Sequence, residues 1–188
     1  PVRSTARNAA VMAAMEGTAV ESPYLLSDMA ADAVAVLDDL GIEKVHVVGT
    51  SMGGMIAQTM AIEHPDRVAS LTSVMSTTGD PEVGQPKPEI LATLLPNGAE
   101  TREAIIEATV ETFRAIGSPD HFDEELTRAA AARAYDRAHD PTAQSRQLVA
   151  TIASGSRSEA LRSISVPTLV VHGDADPLID VSGGIRTA

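Results

Sequence analysis

The apolar positions change their period three times between residues 26 and 76. In "LSDMAADAVAVLDDLG", Met29, Ala33, Val36, Leu37 and Leu40 recur at helical spacing. Ser27 suits the N-cap, Asp28 places negative charge in the first turn, and Gly41 supplies the stop. "IEKVHVVG" is then a short β-branched run, the mark of a buried strand. "SMGGMIAQTMAIEH" returns to an amphipathic helical pattern through Met52, Met55, Ile56, Met60 and Ile62, and Pro65 closes it. "DRVASLTSVMS" reads as a second buried strand. Strand, helix and strand on short links form a βαβ unit, so the pattern predicts a parallel sheet with a right-handed crossover.

From Thr77 the texture changes. "TTGDPEVGQPKPE" is loop-like, and four helices are expected to begin near Pro88, Glu100, Asp123 and Pro141. Asp123 and Asp140 look like caps, and Gly98, Gly117 and Gly155 punctuate the stretch. No strand pattern occurs in it. An all-helical block between two stretches of α/β rhythm reads as a lid inserted over the sheet. "SEALRSISVPTLVVHGDADPL" resumes that rhythm, with a short helix and then a buried parallel strand at Val166–His172. The expected division is an α/β core at 1–76 and 156–188, with a helical cap at 77–155. Before the first clear helix, "AAVMAAMEG" has the composition of a short helix in a connecting segment.

Composition narrows the classes of function. The 188 residues suffice for one domain with a sizeable core, and an apolar share of 44% fits a folded globular chain. A net charge of −12 argues against nucleic acid and anionic membrane as partners, since both repel an acidic surface. No apolar run approaches the roughly 20 residues that cross a bilayer. Aromatic residues make up only 2%, with no Trp, so a stacking platform for bases or sugars is not expected. The absence of cysteine excludes disulfides and thiolate metal sites. Nothing demands an oxidising compartment, and a cytoplasmic location is expected.

Candidate chemistry centres on "HVVGTSMGGMIAQ". Ser51 stands where a strand meets a helix, flanked by Gly49 and Gly53. A turn this sharp forces its central residue to positive φ, and its neighbours two positions away must be small because strand and helix come close; Gly54 adds slack. The hydroxyl then stands clear of the sheet's carboxyl edge. The Met52 N–H, at the helix N-terminus, can donate to an oxyanion. Gly-x-Ser-x-Gly alone arises by chance in roughly one chain of this length in twenty; the strand before it and the helix after it make the match specific. A tightly packed turn without chemistry is the plain alternative. A phosphate-binding turn would need Gly-x-Gly-x-x-Gly or a Gly-Lys pair, and "GTSMGG" has neither. A subtilisin-like arrangement would need its acid and base before the serine, where no suitable Asp–His pair exists.

In this elbow arrangement the acid follows the serine and the histidine follows the acid. "LVVHGDADPL" offers Asp174 and Asp176 beyond a strand parallel to the first two, hence at the same sheet edge as Ser51. Each could instead satisfy its own turn. No histidine follows Asp176. His46 reads as a strand residue, His64 as a helix end, His121 and His139 as lid residues, and His172 as a packed strand end. The base is therefore expected to lie outside this sequence.

"VVGTSMGGMIAQTMAIEHPDRVASLTSVMST" and "VPTLVVHGDADPL" together resemble the α/β-hydrolase superfamily, and within it the bacterial esterases of the aclacinomycin-methylesterase type. The resemblance implies a partial α/β-hydrolase fold with a parallel sheet, flanking helices and an inserted lid. It implies Ser51 as nucleophile, Met52 as one oxyanion donor, and Asp176, rather than Asp174, as the triad acid. It implies a carboxylic-ester hydrolase acting on small molecules without cofactor or metal. The chain opens on Pro1 and stops shortly after the acid, so it is expected to be an internal fragment. The triad histidine and second oxyanion donor would then lie outside it, and the fragment would turn over negligibly by itself. A non-catalytic binder on the same scaffold is the alternative. Lactone, thioester, carbon–carbon and haloperoxidase chemistry share these parts.

Overall fold

The first helix described, α1 (Leu26–Asp39), forms on the predicted pattern but starts differently. The structure is a computed structural model that describes residues 21–90 and 99–188. The alanine- and methionine-rich opening stretch and Gly98 lie outside those residues. Ser27 is not the cap: it sits inside the first turn, where its hydroxyl donates to Glu63. Leu25 flanks the helix instead, and its N–H donates to the Asp28 carboxylate at 2.7 Å. A carboxylate reaching back from the first turn satisfies the entry backbone and meets the positive end of the helix dipole. Gly41 closes the helix at φ +65°.

Three strands follow, β1 (Val45–Thr50), β2 (Val68–Val74) and β3 (Thr168–Val171). They are parallel, in the order β1-β2-β3, with Val47 opposite Leu71 and Leu71 opposite Thr168. Helix α2 (Met52–Glu63) connects β1 to β2, so the predicted βαβ unit is present. One sheet face packs Val45, Val47, Val68 and Leu71 against α1 and α2 through Ala30, Ala57, Met60 and Ala61.

The expectation that β1 and β3 are buried needs correction. Among the described residues the second face is open: Val48 is 68% and Leu169 57% exposed. β3 is also shorter than its apolar run. In contrast, α2 is buried almost all round, Gln58 and Thr59 included, rather than amphipathic. It is wedged between the sheet and its flanking segments, so even its polar positions point inward and need partners.

Between β2 and β3 the chain is helical among the described residues. A helical turn begins at 88, and α3 (Arg102–Ile116), α4 (Glu124–Arg137) and α5 (Ala143–Ala153) follow. Asp123 caps α4 as expected, accepting from the Leu126 N–H at 2.9 Å. Asp140 does not cap α5 directly; it accepts from the N–H and hydroxyl of Thr142, the residue that flanks the helix. α4 buries none of its residues, and polar contacts tie it to α3 instead. Arg102 grips Asp136 with two bonds at 2.8 and 2.7 Å, Arg114 meets Glu124 at 2.6 Å, and Arg128 bridges Glu107 and Glu124.

A short helix, α6 (Ser158–Leu161), leads into β3 as predicted. The last helix, α7 (Val181–Thr187), lies beyond the elements that the sequence pattern predicts, and it carries two glycines, which lower helix propensity. The structure explains both. A Cβ on Gly183 would stand 2.8 Å from the Thr77 Cβ, and one on Gly184 would stand 2.6 Å from His172 Nδ1.

Candidate active site

Ser51 occupies the one-residue hinge between β1 and α2, at φ 54° and ψ −122°. This is the positive φ that the sharp turn demands. A serine held there stores strain of order 1–3 kcal/mol, which the surroundings must hold in place. They do so from two sides. The Ser51 N–H donates to the Val74 carbonyl at 2.9 Å, which locks the hinge to the end of β2. Its carbonyl accepts from Gly54 and Met55 in the first turn of α2 and from the buried Ser76 hydroxyl at 2.9 Å. Met75, beside Ser76, also takes a positive φ of 42°.

The glycines divide their roles differently from the expectation. A Cβ on Gly49 would overlap the Gly53 carbonyl and stand 2.7 Å from the Gly54 nitrogen, so strand and helix do approach at Gly49. Around Gly53, however, no described atom beyond its chain neighbours and its own helix backbone lies within 4 Å of a built Cβ. Gly54 is not slack: a Cβ there would meet the Ser76 Cβ at 2.6 Å. The small residue that the elbow needs on its helix side is Gly54, because Ser76 occupies the space above it. Sequence reading missed Ser76. Its only signal is a polar run after the strand, which any loop shares.

Met52 opens α2, so its N–H is one of the donors that a helix leaves without an internal acceptor. Among the described residues it has no acceptor. Met52 follows Ser51 at the carboxyl end of β1.

Asp176 lies on the turn after β3. β3 runs parallel to β1, and the Met75 N–H donates to the Val171 carbonyl at 2.8 Å, so Ser51, Met75 and the β3 end share one rim. β2 separates β1 from β3, which puts the two turns about 10 Å apart at strand level. Hydrophobic packing links residues next to the two turns. Met52 and Met55 of the elbow helix share one cluster with Leu26, Leu178 and Ile179. The Asp176 Oδ1 accepts from the N–H groups of Leu178 and Ile179 at 2.9 and 3.0 Å. The carboxylate is thus clamped by the backbone of the two residues that pack on the serine's helix. Oδ1 does the work of a turn residue, while Oδ2 carries no hydrogen bond among the described residues. Asp174, by contrast, is exposed, and its carboxylate has no hydrogen bond or ion pair among the described residues.

None of the five histidines bonds to Ser51. His46 meets the Ser70 hydroxyl at 2.7 Å on the open sheet face, and His139 stacks on Tyr135. His64 flanks the end of α2, and His121 is exposed in a 3-10 turn. His172 is packed as expected. Its Nε2 lies 2.7 Å from the Ile179 carbonyl and 3.6 Å from Asp176 Oδ2. Among the described residues no cluster of His, Cys, Asp or Glu is arranged to hold a metal.

Comparison with known proteins gives the family. The family model for the alpha/beta hydrolase fold matches residues 4–187. The chain is 30% identical over 177 residues to rhodomycin D methylesterase DnrP of Streptomyces peucetius, covering 82% of this chain and 59% of that protein. It is 27% identical to 3-oxoadipate enol-lactonase 1 of Acinetobacter baylyi, covering 85% of this chain and 57% of that one. The meta-cleavage product hydrolase CumD of Pseudomonas fluorescens IP01 shares the fold, with a TM-score of 0.65 at 21% identity over 89% of this chain and 60% of that chain. The chain therefore spans about three-fifths of the length of the relatives it matches. With a strand–serine–helix hinge, a parallel sheet and a family match that runs almost end to end, the chain belongs to the alpha/beta hydrolase fold family.

Proposed function

We propose that this chain supplies the nucleophile and acid of a serine hydrolase acting on small carboxylic esters, with residues 77–155 forming a cap over the site. The observation that carries the reading is the shared cluster of Met52, Met55, Leu178 and Ile179, which packs the strained serine hinge against the residues that clamp Asp176. The Ser51 Oγ attacks the acyl carbon while a histidine takes its proton. The Asp176 Oδ2 accepts from the other ring nitrogen and stabilises the imidazolium that forms. The Met52 N–H donates to the oxyanion. The tetrahedral intermediate collapses to an acyl-serine and expels the alcohol, protonated by the same histidine. Water then attacks the acyl-serine with the histidine again as base, releasing the acid and restoring the hydroxyl.

None of the five histidines hydrogen-bonds to Ser51, which supports assigning the base to the part of the hydrolase that this chain does not span. The methylesterase and lactonase relatives favour an ester or lactone carbonyl as the electrophile. A serine at position 51, where epoxide and haloalkane hydrolases need a carboxylate, speaks against those chemistries. The test is covalent labelling. A fluorophosphonate, with imidazole supplied as a diffusible base, should add to Ser51 and to no other residue, as mapped by peptide mass spectrometry. Ser51→Ala should abolish the adduct. A protein that never labels at Ser51 yet binds an ester-like ligand favours the non-catalytic binder.

A further inference from the structure

Arg157 is a buried cation with no acid to meet it among the described residues. The residue is 7% exposed, and desolvation alone pushes its guanidinium down to about 10. Asp80, in the turn that Arg157 faces, gives its carboxylate to Arg186 at 2.6 Å instead. Taking an unpaired charge out of water is costly. Such a residue persists where its geometry does something an apolar side chain could not.

Its hydrogen bonds show what that is. Nη2 donates to the Thr77 carbonyl at 3.0 Å, and the Arg157 backbone N–H donates to the Thr78 carbonyl at 2.8 Å. Nη1 donates to the Gly155 carbonyl at 3.3 Å. Nε donates to the Gln58 Oε1 at 3.3 Å, and the Gln58 amide reaches on to the Ser73 hydroxyl at 3.1 Å. Thr77 and Thr78 are where the chain leaves β2 for the helical block; Gly155 is where it returns. Gln58 is fully buried in α2, the helix that Ser51 begins. The two roots also touch: a Cβ on Gly79 would overlap the Gly155 carbonyl and stand 3.3 Å from Nη1. One planar fork with five donors can reach three segments at once; a lysine or an apolar chain cannot.

We infer that Arg157 is a positioning residue that pins both roots of the helical block to the serine's helix, so that the seating of the cap over Ser51 is set at this one side chain. The inference rests on the reading of 77–155 as a cap and of Ser51 as the nucleophile. Its structural half can be tested without either.

Arg157→Lys keeps the charge and the stem but loses the fork. Amide exchange in Arg157→Lys should quicken by about tenfold or more at both roots, residues 77–80 and 152–157, while β2 stays within about twofold. Gln58→Leu should loosen both roots in the same way. Gln58→Glu, which keeps an acceptor facing Nε, should hold them within about twofold of the parent. Loosening confined to residues around 157, or equal exchange in the Leu and Glu variants at 58, overturns the pin. Should Arg157→Lys fail to fold, the Gln58 pair carries the test alone. The functional half is read by Ser51 labelling with a small and a bulky fluorophosphonate in the presence of imidazole. Arg157→Lys should change the ratio of the two rates by at least about threefold, as a shifted cap would. An unchanged ratio with loosened roots removes the link to Ser51. Absence of any Ser51 labelling in the parent instead strikes the nucleophile reading and leaves the exchange result standing.

Discussion

The two glycines that frame Ser51 look equivalent in the sequence and are not equivalent in the structure, and alanine at each should separate them. At Gly49 the added methyl would overlap the Gly53 carbonyl and lie 2.7 Å from the Gly54 nitrogen, all backbone atoms. Relief requires the start of α2 to move away from β1, against the Ser51–Val74 bond and the Ser76 hydroxyl. Overpacking in a well-packed core costs ~1–3 kcal/mol where side chains can adjust. Here they cannot, so Gly49→Ala should cost about 3 kcal/mol or more. For a domain of this size that lowers Tm by about 6–12 °C. At Gly53 no described atom beyond its chain neighbours and its own helix backbone stands within 4 Å of the methyl, and the position is helical. Alanine there gains helix propensity, up to ~1 kcal/mol, for a small rise in Tm. Urea titration of the parent and both variants is the assay. Equal losses at the two positions would refute the division of roles, as would a Gly49→Ala protein as stable as the parent.

Further predictions follow from the same geometry. Ser76→Ala removes the hydroxyl from the Ser51 carbonyl and should cost about 1 kcal/mol in urea titration. Ser51 phosphonylation should also slow in that variant, and an unchanged rate would mean that Ser76 does not hold the hinge. The α3–α4 pair depends on exposed arginine–carboxylate bonds, so 1 M salt, with a screening length of about 3 Å, should quicken amide exchange in both helices while β2 is unaffected. The Ser182 hydroxyl and N–H hold the Asp180 carboxyl below its ordinary range. Its contribution to α7 is therefore complete above the unfolded value of about 3.9 and is lost as pH falls through the lower folded value. A Ser182 amide shift that titrates with a midpoint at or above about 3.9 would contradict this.

Much of this architecture is visible in the residue pattern because short-range rules decide it. The βαβ unit follows from two β-branched runs around a helical period, and the Ser51 hinge from a serine placed where a strand turns directly into a helix. Asp123 announces its cap because the capping carboxylate lies three residues from the N–H it accepts. What stayed hidden depends on contacts between distant segments. Ser76 matters through Ser51, and Arg157 through Gln58 and Thr77, and no local pattern encodes those pairings. Helix α7 has no clear sequence pattern, because Gly183 and Gly184 lower helix propensity; crowding by Thr77 and His172 leaves no room for a Cβ at either position. Ser27 misled for the opposite reason: a good capping residue was present, but the packing of Leu26 and the Asp28 carboxylate set the helix start two residues earlier.

The central claim is that Ser51 and Asp176 act through one imidazole. Phosphonylation of Ser51, followed by mass spectrometry as imidazole is raised, tests it most directly. The account predicts a rate that climbs with imidazole and falls at least about tenfold in Asp176→Asn, with Asp174→Asn close to the parent. A Ser51 rate indifferent to residue 176, or labelling that ignores imidazole altogether, would contradict it.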